Sequence, residues 1–457
     1  MHLDSDPIPR LVRDLAVPAS VGFLFNTLFN VVDTWWAGRI STEAQAALSL
    51  SFPVFFILIA TGSGISQGVT ALISHALGAR NPAQARRFAA QAAVLGVLLG
   101  LLLAGFGWAV APSLFRLLGA EAAYLDLCLA YMNTVLGGAV FFLLQSILNS
   151  GIQAQGDTRT YRNVLIAGCL LNALLDPWFL YGGAGLPPLG LRGIALSTVL
   201  ITAGGAVYLA RVFRRSELGR SLTAADFRPS ASDLAAILRQ GVPASLNMMT
   251  VALGIFVITW FISRFTPHAV AAYGIATRVE QILLLPTIGL NIATLTLTGH
   301  NFGAGRLDRV AETWRTSVRY GLLLMGLGGV VLLAGARPLM GAFSADQEVV
   351  ATGAAYLRVA AFTLGAYVIL YQTVFMLQGL KRPLFALWIG IVRQALAPLV
   401  AFPLLAFVAG LGLHGIWIGI ALVNWTAAVV AWFYGRRTLD NLTAAAAPAR
   451  SAKSPAQ

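Results

Sequence analysis

Twelve long apolar runs dominate this chain, and each is too long for a membrane strand. They lie near residues 13–37, 46–73, 88–112, 122–148, 161–181, 191–213, 234–263, 269–298, 313–336, 350–376, 384–409 and 413–435. A bilayer core of roughly 30 Å takes roughly 20 apolar residues as a helix. Membrane barrels instead use alternating segments of about ten residues, and these runs neither alternate nor stop that early. The pattern predicts an all-α polytopic membrane protein with twelve transmembrane helices. Composition agrees: 58% of the 457 residues are hydrophobic and 11% are charged, against about 25% charged in a soluble domain. The formal charge of +13 would suit nucleic acid if it were clustered. Here the basic residues sit in short breaks between apolar runs, so no nucleic-acid partner is expected. Cys128 and Cys169 lie inside apolar segments, which argues against a disulfide framework. No cleavable leader is expected, because the polar start MHLDSDPIPR runs straight into the first apolar stretch.

Lysine and arginine set the orientation. The break after the second segment carries Arg80, Arg86 and Arg87, and the break after the fourth carries Arg159 and Arg162. The central linker carries Arg211, Arg214, Arg215, Arg220 and Arg228. Later even-numbered breaks carry Arg306 and Arg309, then Lys381 and Arg382, then Arg436 and Arg437. The odd-numbered breaks hold only Arg39, Arg116, Arg192, Arg264 and Arg337. Both termini and the linker are therefore expected in the cytoplasm.

The chain repeats itself. VPAS stands at 17–20 and again at 242–245, and both copies run on for 19 residues to a Thr-Trp pair, Thr34-Trp35 and Thr259-Trp260. SHALGARNPAQARR (74–87) answers GHNFGAGRLDRV (299–310), QGDTR (155–159) answers QGLKR (378–382), and LGLRGI (189–194) answers LGLHGI (411–416). The offset drifts only from 225 to 222. Each copy holds six helices, an even number, so the two are parallel repeats about an axis along the membrane normal. That architecture is a transporter signature. The expected organisation is an N-lobe over 1–215, a cytoplasmic linker over 216–233 and a C-lobe over 234–437. The low-complexity tail 438–457 is expected to be disordered.

The repeat is asymmetric in charge. The first copy holds Asn26, Asn30 and Asp33 where the second holds Val251, Ile255 and Ile258. A charge in hydrocarbon costs upward of ~2.5 kcal/mol, so ionisable groups deep in segments are informative. Asn26, Asn30 and Asp33 share one helix face, as do Asn172 and Asp176 in segment 5. Segments 1 and 5 both rise from the cytoplasm, so the two acids lie at similar height and can share a cavity. Two carboxylates in one desolvated site repel, so the pair is suited to take up and release a proton. The bland alternatives are a solvated helix end at Asp33 beside Trp35 and Trp36, and a helix break capped by Asp176 before Pro177. Pro18 either bends helix 1 or sits harmlessly in its first turn; Pro243 holds the equivalent place in the second copy. In the second half Arg278 and Glu280 do not share a face, and Arg358 and Arg393 are the other buried cations. Pairing of Glu280 with an arginine is expected, with a transport role as the alternative. His75 and His300, at equivalent helix ends, read as structural or gating residues. Met248, Met249, Phe141, Phe142 and Met376 read as packing.

These residues resemble a known family. VPAS and VVDTWWAGR in segment 1, SHALGARN, QGDTR, NALLDPWF in segment 5 and GHNFGAGRLDRV are similar to the multidrug and toxic compound extrusion (MATE) family, most of all to its DinF-like branch. The resemblance covers roughly 10–437. It implies a twelve-helix, V-shaped exporter that exchanges H⁺ or Na⁺ for organic cations and lipophilic drugs; a bacterial inner membrane, a monomer and no cofactor are expected. It also implies an N-lobe cation site at Asp33 and Asp176, with Asn26, Asn30 and Asn172 and, more loosely, Tyr131 and Thr198. Na⁺ at Asp33 and Asp176 is the one metal it implies. The NorM-like branch carries acids in helices 7 and 10; LNMMTVALGIF and FTLGAYVILYQTVF hold none. A flippase for a lipid-linked precursor is the alternative function, and the few buried cations count against it. A prenyl transferase needs paired Asp-rich motifs for Mg²⁺, and no DxxxD or DDxxD stretch occurs; no enzyme is expected. A symmetric channel fits the one-sided acids less well than a switch. Substrate identity, H⁺ versus Na⁺ and the oligomeric state stay open.

Overall fold

The computed structural model describes residues 2–183 and 185–451 and is almost wholly helical. The long helices are α1 (Ile8–Ile40), α2 (Thr42–Gly78), α3 (Pro82–Leu117), α4 (Ala122–Gly137), α5 (Ala139–Ala154), α6 (Arg159–Tyr181) and α7 (Leu191–Arg215). A short α8 (Glu217–Arg220) lies in the linker. There follow α9 (Ala231–Ile262), α10 (Pro267–Gly303), α11 (Leu307–Gly341), α12 (Gln347–Gly379), α13 (Leu384–Ile391), α14 (Ala397–Phe402) and α15 (Gly412–Ser451). Among the described residues eleven spans are long and apolar enough to cross a membrane. The pair α4 and α5, bent by 46°, makes a twelfth. The bend falls on Gly137-Gly138, a pair with no side chains to brace the turn.

Segment 11 is irregular for a different reason. Between α13 and α14 the backbone widens into a π turn at Val392–Leu396, and α14 runs into a second π turn at Pro403–Val408. Pro398 and Pro403 have no N–H to give and their rings crowd the preceding carbonyls, and wider turns accommodate both. Pro18 lies well inside the unbroken α1, so the first-turn alternative does not hold. The final helix also differs from expectation. It continues to Ser451, so 438–451 are helical rather than disordered, and 452–457 lie outside the described residues.

Two compact units emerge, one of residues 1–20 with 246–457, the other of residues 21–245. A cut in the linker therefore misses the packing, because each unit takes the opening stretch of the helix that begins the other half. The two boundaries fall directly after the two VPAS copies. Within its own unit, Ser20 donates its hydroxyl to the Pro286 carbonyl at 3.1 Å. Ser245 donates to the Thr61 carbonyl at 3.2 Å. Donors and acceptors alike are 225 residues apart. Glycine makes both approaches possible. A Cβ on Gly289 would lie 2.2 Å from the Ala16 carbonyl oxygen, and one on Gly64 would lie 2.2 Å from the Ser245 nitrogen.

The polar ends of these stretches are fastened as well. Arg309, buried, donates from Nη2 to the Asp6 carbonyl at 2.7 Å, and Arg306 donates to the Asp4 carbonyl at 3.1 Å. In the other unit Arg86 pairs with Asp226 at 3.0 Å, and Arg87 donates to Asp233 at 3.1 Å. Gln91 donates to the Asp226 and Arg228 carbonyls and accepts from the Ser230 N–H. The linker is thus a fixed strap across the start of α3.

Candidate functional site

In the unit of residues 21–245, α1, α6 and α7 bring a polar cluster together inside an otherwise apolar interior. Asp33 on α1 is 6% exposed, and Asn172 and Asp176 on α6 are both fully buried. The i, i+4 spacing on α6 stacks Asn172 over Asp176 on one face. Asn172 uses both hydrogens of its amide, one to Asp33 Oδ1 at 2.8 Å and one to Asp176 Oδ1 at 2.9 Å. That double donation fixes which end of the amide carries nitrogen. The two carboxyl groups are thus held to the same amide nitrogen. Both bland alternatives fail: Asp33 is no solvated helix end, and α6 passes through Pro177 to Tyr181 without a break at Asp176.

Helix α7 completes the cluster. Ser197, which the sequence did not single out, donates its hydroxyl to Asp176 Oδ1. Its signal was the Ser-Thr pair in LSTV, of which only the second member looked noteworthy. Thr198 is buried, donates to its own helix at the Ile194 carbonyl, and faces Asp33. Tyr131 on α4 is buried in the same unit, and no hydrogen bond to either acid is among those of the described residues. Asn26 and Asn30 share the helix face of Asp33 but are exposed, and Asn30 donates to the Asn26 carbonyl at 2.8 Å. They are not hydrogen-bonded to the acids. Pro18 belongs to the other unit.

The hydrogen-bond count of the cluster does not close. Asp176 Oδ1 has two donors while its Oδ2 has none, and Asn172 Oδ1 has none either. Both orphans are buried acceptors. No basic side chain pairs with Asp33 or Asp176 among the described ion pairs. Buried acceptors without donors and buried carboxylates without a counter-charge are both costly. What would satisfy the cluster is positive: a proton on a carboxyl, or a small hard cation taken by oxygens alone. The donor set fits Na⁺ as well as H⁺. No group of three or more His, Cys, Asp or Glu suited to a metal occurs among the described residues.

The second unit holds one acid of this kind. Glu280 on α10 is buried but, contrary to expectation, makes no ion pair among the described residues. Its Oε2 accepts from the Tyr356 hydroxyl at 2.6 Å. The physical reason is placement: Arg278 faces outward, and Arg393 is engaged by Asn424 at 2.9 Å.

Comparison with known proteins bears on the whole chain. The family model described as MatE matches residues 18–178 and again 243–402, one match in each half of the repeat. An "FAD transporter" of Shewanella oneidensis is 28% identical over 97% of this chain and 98% of its own. A "probable multidrug resistance protein NorM" of Thermotoga maritima is 26% identical over 92% of this chain and 91% of its own. Among solved structures, a MOP superfamily transporter from Pyrococcus furiosus superposes with a TM-score of 0.90 at 25% identity, covering 96% of this chain and 98% of that one. A multidrug resistance MATE family transporter in an outward-facing conformation gives the same values.

Proposed function

The chain belongs to the MatE family, and we propose that it is a secondary active exporter of organic cations and lipophilic drugs, driven by the inward movement of H⁺ or Na⁺ at the Asp33–Asp176 pair. The observation that carries this reading is the Asn172 amide shared between two buried carboxylates that have no ion-pair partner among the described residues. With no cation the pair repels across a low-dielectric gap. A proton or Na⁺ removes that repulsion and gives the orphan acceptors a positive partner. Binding therefore changes how tightly α1 and α6 are held together, and a packing change of that kind can bias alternating access. The acids, with Asn172, Ser197, Thr198 and Tyr131, all lie in one unit, so the other half of the repeat is wall to this switch. By the arginine distribution both termini are cytoplasmic in a bacterial inner membrane. We place the chain in the DinF-like branch on its NALLDPWF and VVDTWWAGR stretches, and take the working form as a monomer.

The Shewanella relative supports a second cargo, an anionic dinucleotide, carried by the same coupling. Inverted membrane vesicles with an acidic lumen separate the possibilities. Ethidium collapses the pH gradient in wild type, and Asp33→Asn abolishes that response. If both proteins respond equally, transport stands and the switch is elsewhere. If neither responds with or without Na⁺, drug antiport is rejected for this cation, and FAD and lipid-linked precursors are the next cargoes to load.

A further inference from the structure

The unit formed by residues 1–20 and 246–457 contains a half-open, largely apolar cavity of about 130 Å³ between α9, α10, α12, α14, α15 and the first π turn, with a few polar groups converging in it. It plays no part in the exporter reading. Its lining combines an acid, a base and a set of aromatic faces. Glu280 is 5% exposed and Arg393 is 8% exposed. Glu280 spends Oε2 on Tyr356, while Oε1 is buried and has no hydrogen-bond partner. Arg393 spends one of its five donors on Asn424 Oδ1. Acid and base thus face one cavity without an ion pair between them, although each is buried and a buried charge without a partner is costly.

The backbone contributes to that separation. Arg393 rides on the π turn Val392–Leu396, a local widening of the helix that re-aims its side chain and that recurs at functional sites in proteins. Four tyrosines, Tyr273, Tyr356, Tyr367 and Tyr371, form part of the wall. Tyr367 and Tyr371 stack with centroids 5.7 Å apart, and Tyr273 meets Tyr356 edge to face at 5.4 Å. The guanidinium of Arg393 lies 5.9 Å from the Tyr367 centroid. Aromatic faces attract ammonium groups, quaternary ones above all. A guanidinium fork matches a carboxylate. The volume is well under the roughly 300 Å³ at which drug-sized pockets begin.

We propose that this cavity is a second binding site, for a small zwitterion of the betaine or amino-acid class, its ammonium held by Glu280 and the tyrosine faces and its carboxylate by Arg393. The ligand completes both half-satisfied charges at once, which neither a bare cation nor a bare anion does.

The test uses the full-length protein in lipid nanodiscs and calorimetric titration with glycine betaine and with L-alanine. Choline and acetate, which carry one charge each, are the comparisons. At least one zwitterion binds saturably and at least tenfold more tightly than choline, and acetate does not bind. Glu280→Gln and Arg393→Gln each weaken that binding at least tenfold. The wild-type ligand series needs no variant, so a variant that fails to fold leaves the test intact. Choline binding as tightly as either zwitterion overturns the proposal in favour of a simple cation site. Absence of saturable binding by both zwitterions overturns it in favour of a structural polar network.

Discussion

Arg80 and Lys381 both sit in the left-handed region, at φ 55° and 60°, while Gly305 and Gly156, at the matching helix ends after α10 and α5, adopt φ 70° and 86° without a side chain to object. At each of these two helix ends one copy of the repeat uses glycine and the other bears the strain. An L-residue in that region costs roughly 1–2 kcal/mol, less what glycine loses in unfolded-state freedom. Arg80→Gly and Lys381→Gly should therefore each stabilise the folded protein by about 1 kcal/mol, read as a rise in Tm in detergent. Asp226 makes a pH-dependent contribution. Burial opposes its charge, but the Thr223 N–H and hydroxyl, both at 2.8 Å, and the Arg86 guanidinium outweigh that and hold its carboxyl below the usual carboxylate range. A depressed folded pKa gives stability that is present above the unfolded value near ~4 and is lost as pH falls through the folded value. Asp226→Asn should lower Tm at pH 7, and the gap from wild type should close as the buffer is taken below pH ~4.

At the scale of elements, the stretches 8–20 of α1 and 231–245 of α9 are each seated against a glycine in their own unit. Gly64→Ala and Gly289→Ala force a methyl to about 2.2 Å from backbone atoms of the seated stretch. Overpacking of that kind costs roughly 1–3 kcal/mol. Both variants should lose stability to a similar degree, because the two sites are copies. Ser20→Ala and Ser245→Ala, which remove only the hydrogen bond, should lose about 1 kcal/mol each; a much larger loss on one side would show that the copies have diverged. Helix positions were legible in the sequence because an apolar run of 20 or more residues has one stable form in lipid. The π turns were not, because prolines 398 and 403 could equally have kinked or broken the segment, and only packing against neighbours selects the wide turn. The helical extension past 437 was missed for a related reason: TAAAA is both low-complexity and a strong helix former.

For the molecule as a whole, each half of the sequence supplies the opening stretch of a helix that packs in the other unit. Fragments 1–221 and 222–457, divided in the linker, should each be unstable when expressed alone and should co-purify when expressed together. Recovery of a stable, monodisperse 1–221 fragment by itself would contradict this. The sequence by itself determined the membrane-spanning class, the approximate count of spans and the duplication, since hydrophobic length and recurring short motifs are read directly along the chain. It also located Asp33, Asp176 and Asn172, because a charge or amide in hydrocarbon is conspicuous wherever it points. Only the tertiary structure decided what those groups touch. That Asn172 bonds both acids, that Ser197 joins them, that Asn26 and Asn30 do not, and that Glu280 answers a tyrosine rather than an arginine depend on helix rotation and on which helices meet. Those are set by the sum of many weak packing contacts, and no single stretch of the chain records them.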